Sequence, residues 1–259
     1  KKPLDQCAYD GWKSIVSPKV SENGDWICYA ITPQRGDALL EFYNAGTKQT
    51  ARNERGASPA WFNNDTWATF KIAVPFAKVR QAKIDKVKAD KMPKDTFAVM
   101  NLAEMKVVKL PGAKELKTSA KGALYAYTYE VTPVKDTTVK DSAAKGNKTP
   151  GKYDRLVVVD VRTGDSTVVD SVKNFTVAEN GRSVLYTREA DSLKAVYVYT
   201  VDPKRGVLQR ELWSSKLGAV SPSLVLDRSG EQGAFLVTAD TVKHALYDLY
   251  YFSTTDLKP

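Results

Sequence analysis

Hydrophobic positions along the chain come in short runs that alternate with polar ones, and turn residues cut the runs apart. Leu246-Tyr247-Asp248-Leu249-Tyr250 is one such alternation, and Trp26-Ile27-Cys28-Tyr29-Ala30-Ile31 is another apolar, aromatic run of strand length. A period of two suits a pleated strand, and valine, isoleucine and aromatic side chains suit packing between sheets. Only Val79–Met92 hints at a helical period (Val79, Ala82, Ile84, Val87), and its apolar face is thin. Prolines at Pro75 and Pro93 bound that stretch, which reads as a bounded hairpin or a short helix.

The runs recur in a fixed order. A short run often ending in Ser-Pro is followed by a turn rich in Asn, Asp and Gly, then a strand with aromatics. A variable polar loop, a second alternating strand and a Thr-Gly-like turn complete the unit. The first copy has Ser17-Pro18, Asn23-Gly24 and the strand from Trp26; the second has Ser58-Pro59, Asn63-Asn64-Asp65 and the strand from Trp67. The third, with Lys121-Gly122 as its turn, is the weakest. The fourth uses Asn180-Gly181, and the fifth has Ser221-Pro222 and Ser229-Gly230. Aligned at Trp26, Trp67, Leu124, Ser183 and Ala234, the copies are spaced by 41, 57, 59 and 51 residues. A four-stranded propeller blade takes roughly 40–50 residues, so the longer units hold insertions. The reading is an all-β fold of about five four-stranded β-propeller blades, an incomplete or open propeller. Its units run roughly over 13-55, 56-112, 113-171, 172-217 and 218-259 within one partial propeller domain, 1-259. A β-sandwich with regular turn signals is the competing reading.

Charge adds one feature to this picture. The net charge is +9, and Lys78–Lys94 alone holds seven basic residues against Asp85 and Asp90. Lys135–Lys152 holds five lysines against Asp136 and Asp141. Both segments fall between the second and third strands of their units, so both are expected to project from one face. Basic stripes that bind nucleic acid interleave aromatics for stacking, and these segments have almost none. They read as solvated insertion loops, with no nucleic-acid partner.

Candidate chemistry is sparse. No Gly-x-Ser-x-Gly occurs, and His244 is the single histidine, read as a loop or strand-edge residue. The expected catalytic, cofactor and metal residues are therefore none. Cys7 and Cys28 are too few for a disulfide scaffold. Cys28 reads as a small buried hydrophobe, and a Cys7–Cys28 disulfide is open in an oxidising compartment. Glu130 and Glu189 read as isolated surface acids. No apolar run approaches the roughly 18 residues that would span a bilayer.

Three segments carry a resemblance. Lys2-Pro3-Leu4-Asp5 with Tyr9-Asp10-Gly11-Trp12-Lys13-Ser14 resembles the start of mature prolyl oligopeptidase-type serine peptidases of Bacteroidetes. Val74-Pro75-Phe76-Ala77-Lys78-Val79-Arg80-Gln81-Ala82-Lys83 and Asp90-Lys91-Met92-Pro93-Lys94-Asp95 resemble the same family. The likeness is clearest in the first two units and thins after Gly112. It implies an amino-terminal propeller of seven or eight blades ahead of a carboxy-terminal α/β-hydrolase domain, restricting the access of peptide substrates to a Ser-Asp-His triad. The hydrolase domain is not in this sequence, so the expectation is the first part of a longer peptidase, periplasmic or secreted. The start at Lys1-Lys2-Pro3 without a Met agrees with a processed polypeptide. No Glu-Glu pair occurs, so the dipeptidyl-aminopeptidase specificity of some members does not carry over. The alternative is a free-standing TolB-like periplasmic propeller acting as a protein-interaction platform. The fifth unit stops after its third strand at Phe252-Ser253, which predicts an open blade edge available for self-association.

Overall fold

A computed structural model describes residues 9–132, 151–190, 192–202, 206–240 and 246–254. The chain divides into two compact units, with the boundary between Pro111 and Gly112. Every sheet in both units is an antiparallel meander whose strands pair in chain order.

The first unit holds two blades. β1 (Lys13–Val20), β2 (Trp26–Pro33), β3 (Leu39–Asn44) and β4 (Thr50–Glu54) form the first, and β5 (Gly56–Phe62), β6 (Trp67–Ile72), β7 (Thr96–Asn101) and β8 (Lys106–Leu110) the second. The second unit holds three. β9 (Ala113–Thr118), β10 (Leu124–Val131), β11 (Tyr153–Asp160) and β12 (Ser166–Val169) form the third blade. β13 (Val172–Val177), β14 (Ser183–Ala190), β15 (Leu193–Asp202) and β16 (Gly206–Ser215) form the fourth. β17 (Ala219–Leu226), β18 (Gln232–Thr238) and β19 (Asp248–Ser253) form a three-stranded fifth among the described residues.

The turn between the first two strands of each blade explains the repeat. Ser21 N–H donates to the Trp26 carbonyl at 2.9 Å, Ser119 to Leu124 at 2.9 Å, Ala178 to Ser183 at 2.9 Å and Asp227 to Gln232 at 2.9 Å. Gly24 (φ 77°), Gly181 (φ 68°) and Gly230 (φ 66°) supply the left-handed residue that these tight turns need. The second turn instead places Asn63, Asn64 and Asp65 successively at φ 52°, 51° and 61°, which short polar side chains tolerate better than branched ones. The same hydrogen bond starts β18 at Gln232, two residues before the Ala234 that the sequence alignment selects.

The Ser-Pro pairs are not strand ends. Ser17 and Ser58 sit at φ 51° inside β1 and β5, and the pairing register slips there, between Val16 and Lys19 and between Ala57 and Ala60. β17 slips likewise between Val220 and Leu224, across Ser221-Pro222. Proline cannot donate to a ladder, so in the first, second and fifth blades it is held at a β-bulge on the first, edge strand. The stretch after Pro75 resolves as a helix, α1 (Phe76–Ile84), with no buried residue, followed by a single 3₁₀ turn at Ala89–Lys91.

Packing lies between blades. In the first unit Trp26, Cys28, Leu40 and Phe42 of one blade meet Ala68, Phe70, Ala98 and Met100 of the next. In the second unit Leu124, Ala126, Leu156 and Val158 meet Val184 and Tyr186, and beyond them Leu185, Val196 and Val198 meet Phe235, Val237 and Phe252. Each fully buried large side chain contributes about 1.5–3 kcal/mol. Turn meets turn at Gly122, which abuts the backbone of Asn180 and Gly181 on the next blade.

Candidate functional site

Charged side chains gather in the second unit where β10 runs into β11 and β14 into β15. The register places Glu130 opposite Asp154 and Tyr129 opposite Arg155, with Glu189 opposite Lys194 on the neighbouring blade. Lys114, from β9, reaches Asp154 Oδ1 at 2.6 Å and Glu130 Oε2 at 3.2 Å, and Lys152 Nζ donates to Glu130 Oε1 at 2.7 Å. The Lys152 and Lys114 hydrogen bonds hold the Glu130 carboxyl below the usual carboxylate range. The Asp154 and Glu130 bonds outweigh partial burial and raise the Lys114 ammonium.

Asp170, in the turn between β12 and β13, ties two cations. Its carboxylate takes a two-pronged contact from Arg155, Nε to Oδ1 at 2.5 Å and Nη2 to Oδ2 at 3.2 Å. Its main-chain carbonyl accepts from Arg188 Nε at 3.0 Å. The Asp170 bond, helped by Tyr129, raises the Arg155 guanidinium further above its already high value. The Arg188 guanidinium lies 5.6 Å from the centre of the Tyr197 ring, and Tyr197 Oη donates to Glu211 Oε2 at 2.6 Å. That bond to Glu211 pushes the Tyr197 hydroxyl up.

Between the fourth and fifth blades Lys173, Asn174, Thr187, Arg188, Glu189, Lys194, Ala219 and Val220 line a cavity of about 220 Å³. Lys194 Nζ donates to the Gly218 carbonyl, and Lys173 stands 3.9 Å from Glu189. Three cations, Lys173, Arg188 and Lys194, and one carboxylate, Glu189, are among its lining residues. Planar arginines suit carboxylates, to which they can donate two parallel bonds.

The acids read as isolated in the sequence are not isolated, since Glu130 holds two lysines and Glu189 faces Lys173. Arg155, Asp170 and Arg188 were not foreseen. Arg155 and Arg188 carry one signal, a charge set within otherwise apolar strands, and Asp170, in a turn, carries none. Cys28 lies fully buried among Trp26, Phe42 and Phe70, and burial pushes its thiol up. Cys7 and His244 lie outside the described residues, as do the lysines of the second basic segment except Lys152. Among the described residues no group of three or more His, Cys, Asp or Glu side chains is placed to hold a metal ion, and no helix is long and apolar enough to cross a membrane.

The first basic segment is tethered at its root. Val74 N–H donates to Asp95 Oδ1 at 3.0 Å, and Phe76 N–H, at the start of α1, donates to Asp37 Oδ1 at 2.7 Å. Asp37 belongs to the corresponding connection of the first blade, between β2 and β3. A carboxylate at a helix start complements the helix dipole, as does Lys83 in the last turn.

No family model matches the sequence, and no curated protein matches it either. Solved structures do. The β-propeller domain of the trilobed protease from Pyrococcus furiosus aligns over 95% of this chain and 70% of its own, at 12% identity and a TM-score of 0.45. Uncomplexed acylaminoacyl peptidase from Pyrococcus horikoshii aligns over 97% of this chain at 10% identity and a TM-score of 0.47, and this chain spans 40% of its length. TolB from Acinetobacter baumannii aligns over 87% of this chain and 52% of its own, at 12% identity and a TM-score of 0.33. By its own sheet topology the chain is an all-β protein built of β-propeller blades.

Proposed function

We infer that this chain is the non-catalytic propeller of an exported serine peptidase, admitting and positioning peptides for an α/β-hydrolase domain. The observation that carries the reading is the placement of the family-like segment. Residues 74–83 and 90–95, which resemble the prolyl oligopeptidase-type peptidases, form the helix-bearing connection between the second and third strands of a blade. Asp37 and Asp95 fix both ends of that connection, so it is a built feature of the blade end and not a slack insertion.

The mechanism is steric and electrostatic. Blades narrow the approach, so an extended peptide passes where a folded protein does not. Arg188 and Lys194, on the cavity beside the charged cluster, suit the carboxylates of a peptide, while Glu130 and Asp154 are already neutralised by lysines. Reading the coding sequence downstream of Pro259 tests the proposal. A Gly-x-Ser-x-Gly elbow within a few hundred codons, with Asp and His after it, is expected. A stop codon at that point, or a downstream domain without an elbow, would overturn it and favour a free-standing interaction propeller.

A further inference from the structure

The basic connection between β6 and β7 is fixed in place, yet its helix buries nothing. Asp37 receives the Phe76 N–H and Asp95 the Val74 N–H, all four within the first unit, while α1 has no buried residue. All seven cations from Lys78 to Lys94 are exposed, and none forms an ion pair or a ring contact among the described residues. Lys114, Lys152 and Lys173 of the second unit, by contrast, each stand beside a carboxylate. Only Asp85 and Asp90 oppose the seven, and Asp85 already accepts from Gln81 Nε2 at 2.8 Å. Two anchors that bring no burial hold the outer surface of α1 in one pose.

That surface mixes apolar and cationic groups. Phe76, Arg80 and Ile84 fall one turn apart on one face of α1 and, with Ala77 and Gln81, line a cavity of about 380 Å³. α1 alone lines it, so its shape comes from neither end of the chain and from no part of the second unit. Phe76 is 39% exposed and Ile84 60%. With Arg80 set between them, the helix lacks the separate apolar face of one that lies in a lipid surface. No aromatic residue occurs from Ala77 to Thr96, so nucleic-acid bases have no stacking platform there.

An extended peptide matches the spacing. Four helical residues rise about 6 Å, and alternate residues of an extended chain advance about 6.6 Å. Apolar, acidic and apolar side chains at alternate positions therefore fall on Phe76, Arg80 and Ile84, where the guanidinium can donate two parallel bonds to the carboxylate. The unpaired lysines around the groove favour the approach of an acidic chain. We propose that α1 is a docking site for acidic peptides, taking segments of the form apolar-x-acidic-x-apolar. This rests on the reading of the chain as a peptide-positioning propeller, and it names the class of peptide that the propeller gathers.

Fluorescence anisotropy at low ionic strength tests this on the protein encoded by the complete reading frame. The probes are labelled peptides repeating Leu-Ser-Glu-Ser, and the same peptides with Gln or Lys in place of Glu. The Glu peptide is expected to bind about tenfold more tightly than the Gln peptide, and the Lys peptide not to bind. Added salt should weaken the binding, because the cations are exposed. Arg80→Gln should lower the affinity about tenfold, whereas Lys94→Gln, an equal loss of charge on the same segment, should lower it less than about twofold. Far-ultraviolet circular dichroism checks that both variants remain folded. No binding of the Glu peptide, or equal binding of the Gln peptide, would overturn the proposal. Equal losses in the two variants would overturn it as well, since diffuse attraction to any polyanion, a nucleic acid or a lipid surface included, counts charges and not positions. The two readings fail separately. Binding without a Gly-x-Ser-x-Gly elbow downstream keeps the site and removes the peptidase, and an elbow without binding removes the site alone.

Discussion

Replacing Gly122 by alanine adds one methyl group where two blades touch through their turns. A Cβ at that position would lie 2.0 Å from the Asn180 carbonyl oxygen, 2.2 Å from its carbon and 2.4 Å from Gly181 Cα. All three are backbone atoms, so no side chain can swing aside. Ordinary contact begins at 3.4 Å, so the turns would have to part by about 1.4 Å (3.4 minus 2.0). That movement takes the 2.8 Å bond from Lys121 N–H to the Glu179 carbonyl beyond hydrogen-bonding range. Overpacking costs about 1–3 kcal/mol and the lost bond about 0.5–1.5 kcal/mol, together ~1.5–4.5 kcal/mol. At roughly 2–4 °C per kcal/mol, the second unit should melt about 3–18 °C lower. Gly122 is not at a positive φ, so the loss is steric and not conformational. Gly151→Ala is the control: a Cβ there meets nothing within 4 Å. Thermal unfolding followed by circular dichroism, with amide exchange at residues 119–124 and 178–183, measures both. A Gly122→Ala protein that melts within about 1 °C of the control, with unchanged exchange in those turns, would refute the turn-on-turn packing.

Three further outcomes follow from packing and charge. Phe42→Ala empties a fully buried site whose ring lies 5.3 Å from Trp61 and 5.9 Å from Phe70, and should cost the first unit about 3–5 kcal/mol in urea titrations; a loss under about 1 kcal/mol would contradict that core. In a Cys7→Ser chain, Cys28 should react with a disulfide reagent only on unfolding, because burial both hides the thiol and disfavours the thiolate; rapid native-state labelling would count against its position. The Lys114–Glu130–Lys152 group should stabilise the fold between two limits. Glu130 is held below its ordinary 4.5, so its contribution is present above that value and lost as pH falls through the lowered one. Lys114 is raised above 10.5, so its contribution is present below that value and lost as pH rises through the raised one. Glu130→Gln should flatten the acid limb of the urea midpoint against pH, and an unchanged limb would remove Glu130 from the account.

The blades were legible in the sequence because each depends on local chemistry. Asn23-Gly24 and Asn180-Gly181 mark turns through the positive φ they tolerate, and the strands after them show apolar and aromatic residues of the right length. What was hidden depends on pairing. Ser17-Pro18 and Ser58-Pro59 look like terminators until the ladder is seen to resume beyond them, which makes them bulges. The fifth second strand begins at Gln232 because Asp227 pairs with it, whereas local composition favours Ala234. The thin face over Val79–Met92 left helix and hairpin open, since α1 buries nothing and is fixed by Asp37, 39 residues before its first residue. The charged cluster was hidden for the same reason. Arg155 meets Asp170 and Lys114 meets Asp154 only across strands, and no spacing along the chain announces either pair.

The functional claim is that this chain positions peptides and another domain cuts them. A fluorophosphonate probe applied to the protein encoded by the complete reading frame, followed by digestion and mass spectrometry, asks where the reactive serine lies. The account predicts one labelled serine, in a Gly-x-Ser-x-Gly peptide carboxy-terminal to Pro259. A label on any serine between Lys1 and Pro259, or no labelled serine in the whole protein, would contradict it.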